Sequence, residues 1–310
     1  SYNHYWYTYF DGGTYSLYYE DFPCVVNWYN NGRELHVFIE QKVGSASRKI
    51  QGSSYYFKPG FVFPRRTKAF APKAMPANGI FSTGGQAGFF PSDELEAGIA
   101  LLSSSICNAL IAFSQGGGGA PQFEVGLIKR LPWPCLSEEE TNSLRSFFFE
   151  AFKIKQYLDI EEETTRVYSA PKLRETKNLR QKFDVELERQ KKNNERLLCI
   201  IKKINLISQE IYQINEGDIY YATENINENE VFDKNFEEIE INLGLSREIR
   251  KLLSFFIGCI FGRWNIFFSI AENFPEGRPN PFEALPACPP GMLQNSSGLP
   301  AEPKDVPADY

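Results

Sequence analysis

From Pro171 to Asn215 the chain carries no glycine and no proline after the first residue. Phe183, Leu187, Leu197, Ile201, Ile204, Ile207, Ile211 and Ile214 share one face of that stretch at helical spacing. Such a run folds into little other than one long helix, which at 1.5 Å per residue would reach roughly 65 Å. A helix of that length either bridges two bodies or lays its apolar stripe on a neighbour, as an arm or as a coiled-coil strand.

The sequence before it has a different texture. Residues 1–136 are rich in Tyr, Phe, Gly and Pro, and short β-prone runs predict strands at Cys24–Trp28, Leu35–Ile39, Tyr55–Phe57, Gly79–Ser82 and Phe123–Ile128. Asp11-Gly12-Gly13, Asn30-Asn31-Gly32, Lys58-Pro59-Gly60 and Gly116 to Gly119 punctuate them as turns. Glu94 to Phe113 has helical periodicity. After Leu131-Pro132-Trp133-Pro134 helices take over. Ser137 followed by Glu138, Glu139 and Glu140 forms a capping box that opens a helix to about Leu158. A last helix is predicted from Ser246, as its cap, to about Phe261, with Gly262-Arg263-Trp264 closing it. Its apolar stretch from Leu252 to Phe261 is half the length of a membrane span and predicts a buried core helix. From Asn273 onward Pro, Gly and Ser predict an extended tail that covers a surface or stays poorly ordered. The class is therefore α+β: a loop-rich mixed β-sheet domain (1–136), a helical region with one long helix (137–272) and a Pro-rich tail (273–310).

The formal charge of −6 over 310 residues argues, as an average, against a polyanionic partner. Its distribution argues otherwise. Between Gln41 and Ser92 there is no acidic residue, while Lys42, Arg48, Lys49, Lys58, Arg65, Arg66, Lys68 and Lys73 supply eight positive charges. Screening limits distant acids to about 8 Å of reach, so a local field of this kind attracts phosphate. Tyr55, Tyr56, Phe57, Phe61, Phe63 and Phe70 are interleaved with it and offer faces for stacking on bases. A second basic stretch, Lys172 to Lys203, has eleven Lys or Arg against five acids. The excess of acid lies in Ile204–Leu245, where ten carboxylates face Lys234 alone. The competing reading is that the aromatics are sheet core and the basic residues solvate its outer face.

Other chemistry finds little support in the sequence. The six cysteines form no CxxC pair and there are only two histidines, so neither a zinc site nor a disulfide scaffold is expected and a reducing, cytoplasmic setting is. The chain opens with no signal-peptide pattern and reads as a piece of a longer protein. Gly116 to Gly119 follows a helix, not a strand, and lacks the Lys-Ser/Thr pair of a phosphate loop. Glu138 to Glu140 and Glu161 to Glu163 are helix-start charges, and no nucleophile–base grouping is present.

Several separated blocks together resemble a family. Asn27-Trp28-Tyr29-Asn30-Asn31-Gly32-Arg33-Glu34-Leu35, Phe57-Lys58-Pro59-Gly60-Phe61-Val62-Phe63-Pro64-Arg65-Arg66-Thr67, Ile80-Phe81-Ser82, Ala100 to Ser105 and Phe123-Glu124-Val125-Gly126-Leu127-Ile128-Lys129-Arg130-Leu131-Pro132-Trp133-Pro134 are similar to the target-recognition portion of large adenine-specific DNA methyltransferases. These are the type IIG restriction-modification and BREX-associated phage-defence enzymes. Phe261-Gly262-Arg263-Trp264 and Asn280-Pro281-Phe282 resemble the region just beyond it. Phe63 and Pro64 depart from the commoner pattern before Arg65, Arg66 and Thr67.

The resemblance implies a role, not a reaction. In such enzymes a catalytic domain binds S-adenosylmethionine and methylates N6 of an adenine, and the recognition portion grips double-stranded DNA around it. This chain contains neither the glycine-rich cofactor motif nor Asn-Pro-Pro-Tyr, so it is expected to hold no cofactor, to be inactive alone and to partner a catalytic domain that precedes it. Arg48, Lys49, Lys58, Arg65, Arg66 and Lys68 are the expected phosphate anchors. One or two of Arg65, Arg66, Lys68, Lys73 and Gln86 would reach base edges. Lys172, Arg174, Lys177, Arg180 and Lys182 would form a second clamp, with a simple spacer as the alternative for that helix. Two other classes stay open: a helical protein-interaction module that self-associates through Ile204 to Ile214, and a carbohydrate-active domain built on the Tyr/Trp-rich start.

Overall fold

Trp6–Phe10 (β1) is the centre of a three-stranded sheet, paired antiparallel with Val25–Asn27 (β2) and parallel with Gly79–Phe81 (β5). Gly60–Pro64 (β3) is the centre of a second, with Lys73–Met75 (β4) and Gly85–Gly88 (β6) antiparallel on either side. The computed structural model describes residues 5–115, 122–173, 178–214, 217–218, 244–269 and 278–305, and its class is α+β.

Phe10 and Val62, one from the central strand of each sheet, meet in a core with Phe22, Met75 and Ala87. Side chains alternate across a strand, so Phe61 and Phe63 leave β3 on the face opposite Val62. Both are buried as well, Phe63 against Phe70. A strand covered on both faces reads as a continuous apolar run, and Phe61-Val62-Phe63-Pro64 does.

Helices account for most of the rest. Tyr29–Val43 (α1) opens with Asn30, Asn31 and Gly32, all left-handed at φ 50°, 56° and 69°, and becomes a regular helix at Arg33. At Gly32 a side chain would also strike the Trp28 ring. The predicted strand at Leu35–Ile39 is therefore wrong. Good helix formers surround that alternating run, and Gly44 ends the helix in the left-handed conformation with its N–H on the Glu40 carbonyl. Phe123–Ile128 is likewise not a strand: Val125–Ile128 forms a short helix (α4). Ser53–Tyr55 is a 3-10 turn, and Phe57 sits at φ 67°.

The single helix expected over Glu94–Phe113 is two, Leu95–Leu102 (α2) and Ser105–Gln115 (α3), bent by 63°. Ser103 Oγ donates to the Ala100 carbonyl at 2.6 Å and ends the first, and Ser104 Oγ accepts from the Cys107 N–H at 3.3 Å and starts the second. Among the described residues no single helix is long and apolar enough to cross a membrane; only this bent, mostly buried pair passes together. Glu138–Asp159 (α5) has the predicted capping box. Glu140 N–H donates to Ser137 Oγ, and the Glu140 carboxylate accepts from the Ser137 N–H at 2.6 Å and hydroxyl at 2.7 Å, which holds its pKa below the usual range.

The long helix is Leu179–Tyr212 (α6), about 50 Å and shorter than its sequence predicted. It is not a free arm. Leu197, Ile200, Ile201 and Ile204 are buried, Phe183 packs with Leu173 and Leu252, and Tyr212 packs on Ile106 and Ala109. The last helix is Leu245–Ile260 (α7), started by Gly244 and not by Ser246, and ended at Gly262 with φ 68°. It is buried on one side only: Leu252, Phe255 and Cys259 face inward, while Leu253, Ile257, Ile260 and Phe261 are exposed. The described part of the tail covers apolar surface. Phe282 stacks on Phe148, and Met292 packs against the cluster of Tyr168, Phe255 and Trp264.

One unit comprises Ser1–Lys153, Leu197–Glu237 and Pro281–Ala284, and the other Ile154–Arg196, Glu238–Asn280 and Leu285–Tyr310, so α5 and α6 each change unit along their length.

Candidate nucleic-acid interface

Four exposed basic residues of the first unit line a cleft of about 900 Å³ over the β3–β6 pair. Its floor is set by register. Phe61 is opposite Gly88 and Phe63 opposite Gln86, and a side chain at Gly88 would collide with the Phe61 ring, so glycine is what lets that ring lie across the neighbouring strand. From the floor a series of ring contacts runs to the surface. Phe61 and Phe90 are 5.5 Å apart at 27°, and Phe90 and Trp133 are 4.8 Å apart at 35°. Tyr55, which also lines the cleft, stacks on Phe89 at 5.0 Å and 27°. Tyr55 is 49% and Trp133 38% exposed, so each set reaches solvent.

Arg48, Lys49, Arg65 and Lys129 line the same cleft with a single carboxylate, Glu124. Arg48 is braced by a 2.9 Å bond from Nη1 to the Val43 carbonyl. Arg65 donates to Glu124 at 2.7 Å, and Gln122 donates to the same oxygen at 2.6 Å. The Arg65 bond, with Gln122 second, holds the Glu124 carboxyl below the usual range, so the pair is ionised at neutral pH. Both partners are about half exposed, and such a pair adds little to stability. Beside the cleft Arg66 donates to the Gln122 amide oxygen at 3.1 Å, Lys58 lies over the Tyr55 ring and Lys68 over Tyr15. Arg48, Lys49, Lys58, Arg65, Arg66 and Lys68 are all exposed.

Two predicted contacts are corrected. Lys73 is fully buried, its ammonium donating to the Thr14 carbonyl at 2.8 Å, the Gly12 carbonyl at 3.2 Å and the Glu20 carboxylate, so it ties the 11–20 loop to β4 and is out of reach of a base. Lys172 is buried in the second unit, 3.0 Å from Glu186 and 3.6 Å from Glu161, with its charge over the Tyr157 ring at 3.6 Å. Burial raises the Glu161 pKa and Lys172 opposes the rise, which makes this lysine a structural counter-ion. Arg180 is exposed and 3.6 Å from Asp184 one turn on. Arg174 and Lys177 lie outside the described residues.

Gln86 is placed in the cleft but in a braced role. Its carbonyl oxygen accepts from the Val125 N–H at 2.6 Å and anchors α4 to β6, which turns its amide nitrogen into the only donor the side chain has to offer a ligand. Lys129, Glu124 and Trp133 were absent from the predicted site residues. The dibasic Lys129-Arg130 and the proline-flanked Trp133 were visible signals just beyond the run read as a strand, Phe123–Ile128. Among the described residues there is no group of three or more His, Cys, Asp or Glu able to hold a metal ion. Compared with family models and with curated proteins, the chain matches none.

Proposed function

We propose that this chain is the DNA target-recognition portion of an adenine-N6 DNA methyltransferase of the type IIG or BREX-associated kind, and that its first unit grips double-stranded DNA. One observation carries the reading: the exposed cations of an acid-free window, Arg48, Lys49 and Arg65, line one aromatic-walled cleft with Lys129 added from a distant part of the sequence. Arg66, Lys58 and Lys68 extend the positive surface beside it. Phosphate contacts of this kind fix a protein on DNA without reading sequence, and Gln86 and Arg65 are the side chains set to reach base edges.

The cleft does not suit S-adenosylmethionine. Four cations to one carboxylate oppose a sulfonium ion, so methyl transfer belongs to a catalytic domain outside this chain and none of its steps is assigned to these residues. The test is fluorescence anisotropy of the full chain with a labelled random-sequence 20-bp duplex. Salt-sensitive binding that weakens in the Arg65→Ala/Arg66→Ala variant is the expected result; absence of binding at low salt overturns the reading.

A protein-interaction module is the second reading, favoured by the exposed Leu253, Ile257, Ile260 and Phe261 of α7. It no longer rests on Ile204, which is buried. That reading predicts salt-insensitive association and no affinity for DNA.

A further inference from the structure

The cleft is more than a basic patch. Paired bases are stacked inside a duplex and present only their edges to a protein, so duplex binding by itself makes no use of ring faces. Here the fold lines a cleft with partly exposed aromatic rings. Phe61 stacks on Phe90, which makes a tilted contact with the partly exposed Trp133, and Tyr55 and Phe89 form a second stack that also lines the cleft. A hydrophobic core does not require rings that stay 38% and 49% exposed, yet Trp133 and Tyr55 do. The volume, about 900 Å³, lies at the upper end of the range for clefts that enclose an organic ligand.

The polar groups complete the same picture. Arg48 and Lys49 come from the segment just before Tyr55 and supply positive charge on that side of the cleft. Gln86 has its carbonyl fixed by the Val125 N–H, leaving its amide N–H₂ as a held donor. Glu124 uses Oε1 for both Arg65 and Gln122, leaving Oε2 as an acceptor. A flat face, a donor with an acceptor at its edge, and a phosphate-binding cation beyond it are the three needs of one unpaired nucleotide.

We infer that the cleft is a binding site for an unpaired DNA base, stacked on Trp133 with its 5′ or 3′ phosphate on Arg48 or Lys49 and its edge on Gln86 and Glu124. This rests on the DNA-binding reading above and adds to it a preference for duplex that contains an unpaired nucleotide.

The full chain is titrated against two 20-bp duplexes of the same sequence, one fully paired and one carrying a single unpaired 2-aminopurine nucleotide at its centre. Base–aromatic stacking corresponds to roughly tenfold in affinity per base, so the bulged duplex binds about tenfold tighter, with quenched 2-aminopurine fluorescence. In Trp133→Ala that preference and the quenching are lost. Trp133→Phe, which keeps a ring at the rim, retains at least part of both. Equal affinity for the two duplexes with unquenched 2-aminopurine overturns the inference and leaves the DNA-binding reading standing. Failure to bind either duplex overturns both.

Discussion

The two compact units use the same residue types in opposite ways. In the first, Arg48, Lys49 and Arg65 are held at the rim of a cleft with one carboxylate among them, so most of their charge remains directed outward. In the second, Lys172 is sunk between Glu161 and Glu186, with Lys251 close to Glu162 and Glu248, and the charges neutralise one another. A buried lysine costs several kcal/mol to desolvate and is kept only because its partners are in place. An exposed arginine costs little and adds little to stability. The contrast teaches that a basic run in a sequence gives a field only where the fold leaves it uncompensated.

The sharpest way to break this comparison is Lys172→Met. It strands two buried carboxylates, and about 3–5 kcal/mol of stability should go, read as a fall in the thermal midpoint of the full chain. Retained stability would mean that the cluster is not a paired one. The opposite behaviour is expected of Arg65→Ala/Arg66→Ala: a thermal stability within about 1 kcal/mol of the parent, and duplex affinity about tenfold lower at low salt. A smaller effect with the reverse sign separates charge from contact. Glu124→Gln removes the one carboxylate of the cleft, so duplex affinity should rise a few-fold and the gain should shrink as salt is added. Arg180→Ala should do least, leaving affinity within about twofold and stability within about 0.5 kcal/mol, since this arginine is paired to Asp184 along an exposed helix face. A larger loss would restore α6 as a second clamp.

Patterns with a local physical cause were legible in the sequence. The capping box at Ser137, the turn at Asn30-Asn31-Gly32 and the strand at Gly79–Ser82 depend on a few neighbouring residues, and each falls where those residues place it. The run Leu35–Ile39 misled because five alternating residues cannot tell a strand from one side of a helix, and the Gly44 cap that decides it is five residues further on. Charge was legible as a window and not residue by residue. Lys49 and Lys73 belong to the same acid-free stretch, but a strand carries Lys73 against the Glu20 carboxylate from fifty residues earlier. The cleft itself was partly hidden, because Trp133 and Phe90 meet only through folding, 43 positions apart.

The salt dependence of duplex binding tests the central claim most directly. With anisotropy titrations between 50 and about 200 mM salt, log affinity should fall linearly with log salt at a slope of about −4 or steeper, near 0.9 per phosphate neutralised, and the Arg65→Ala/Arg66→Ala variant should be shallower by about 2. A slope near zero, or equal slopes for parent and variant of equal stability, would contradict the assignment of this cleft to DNA.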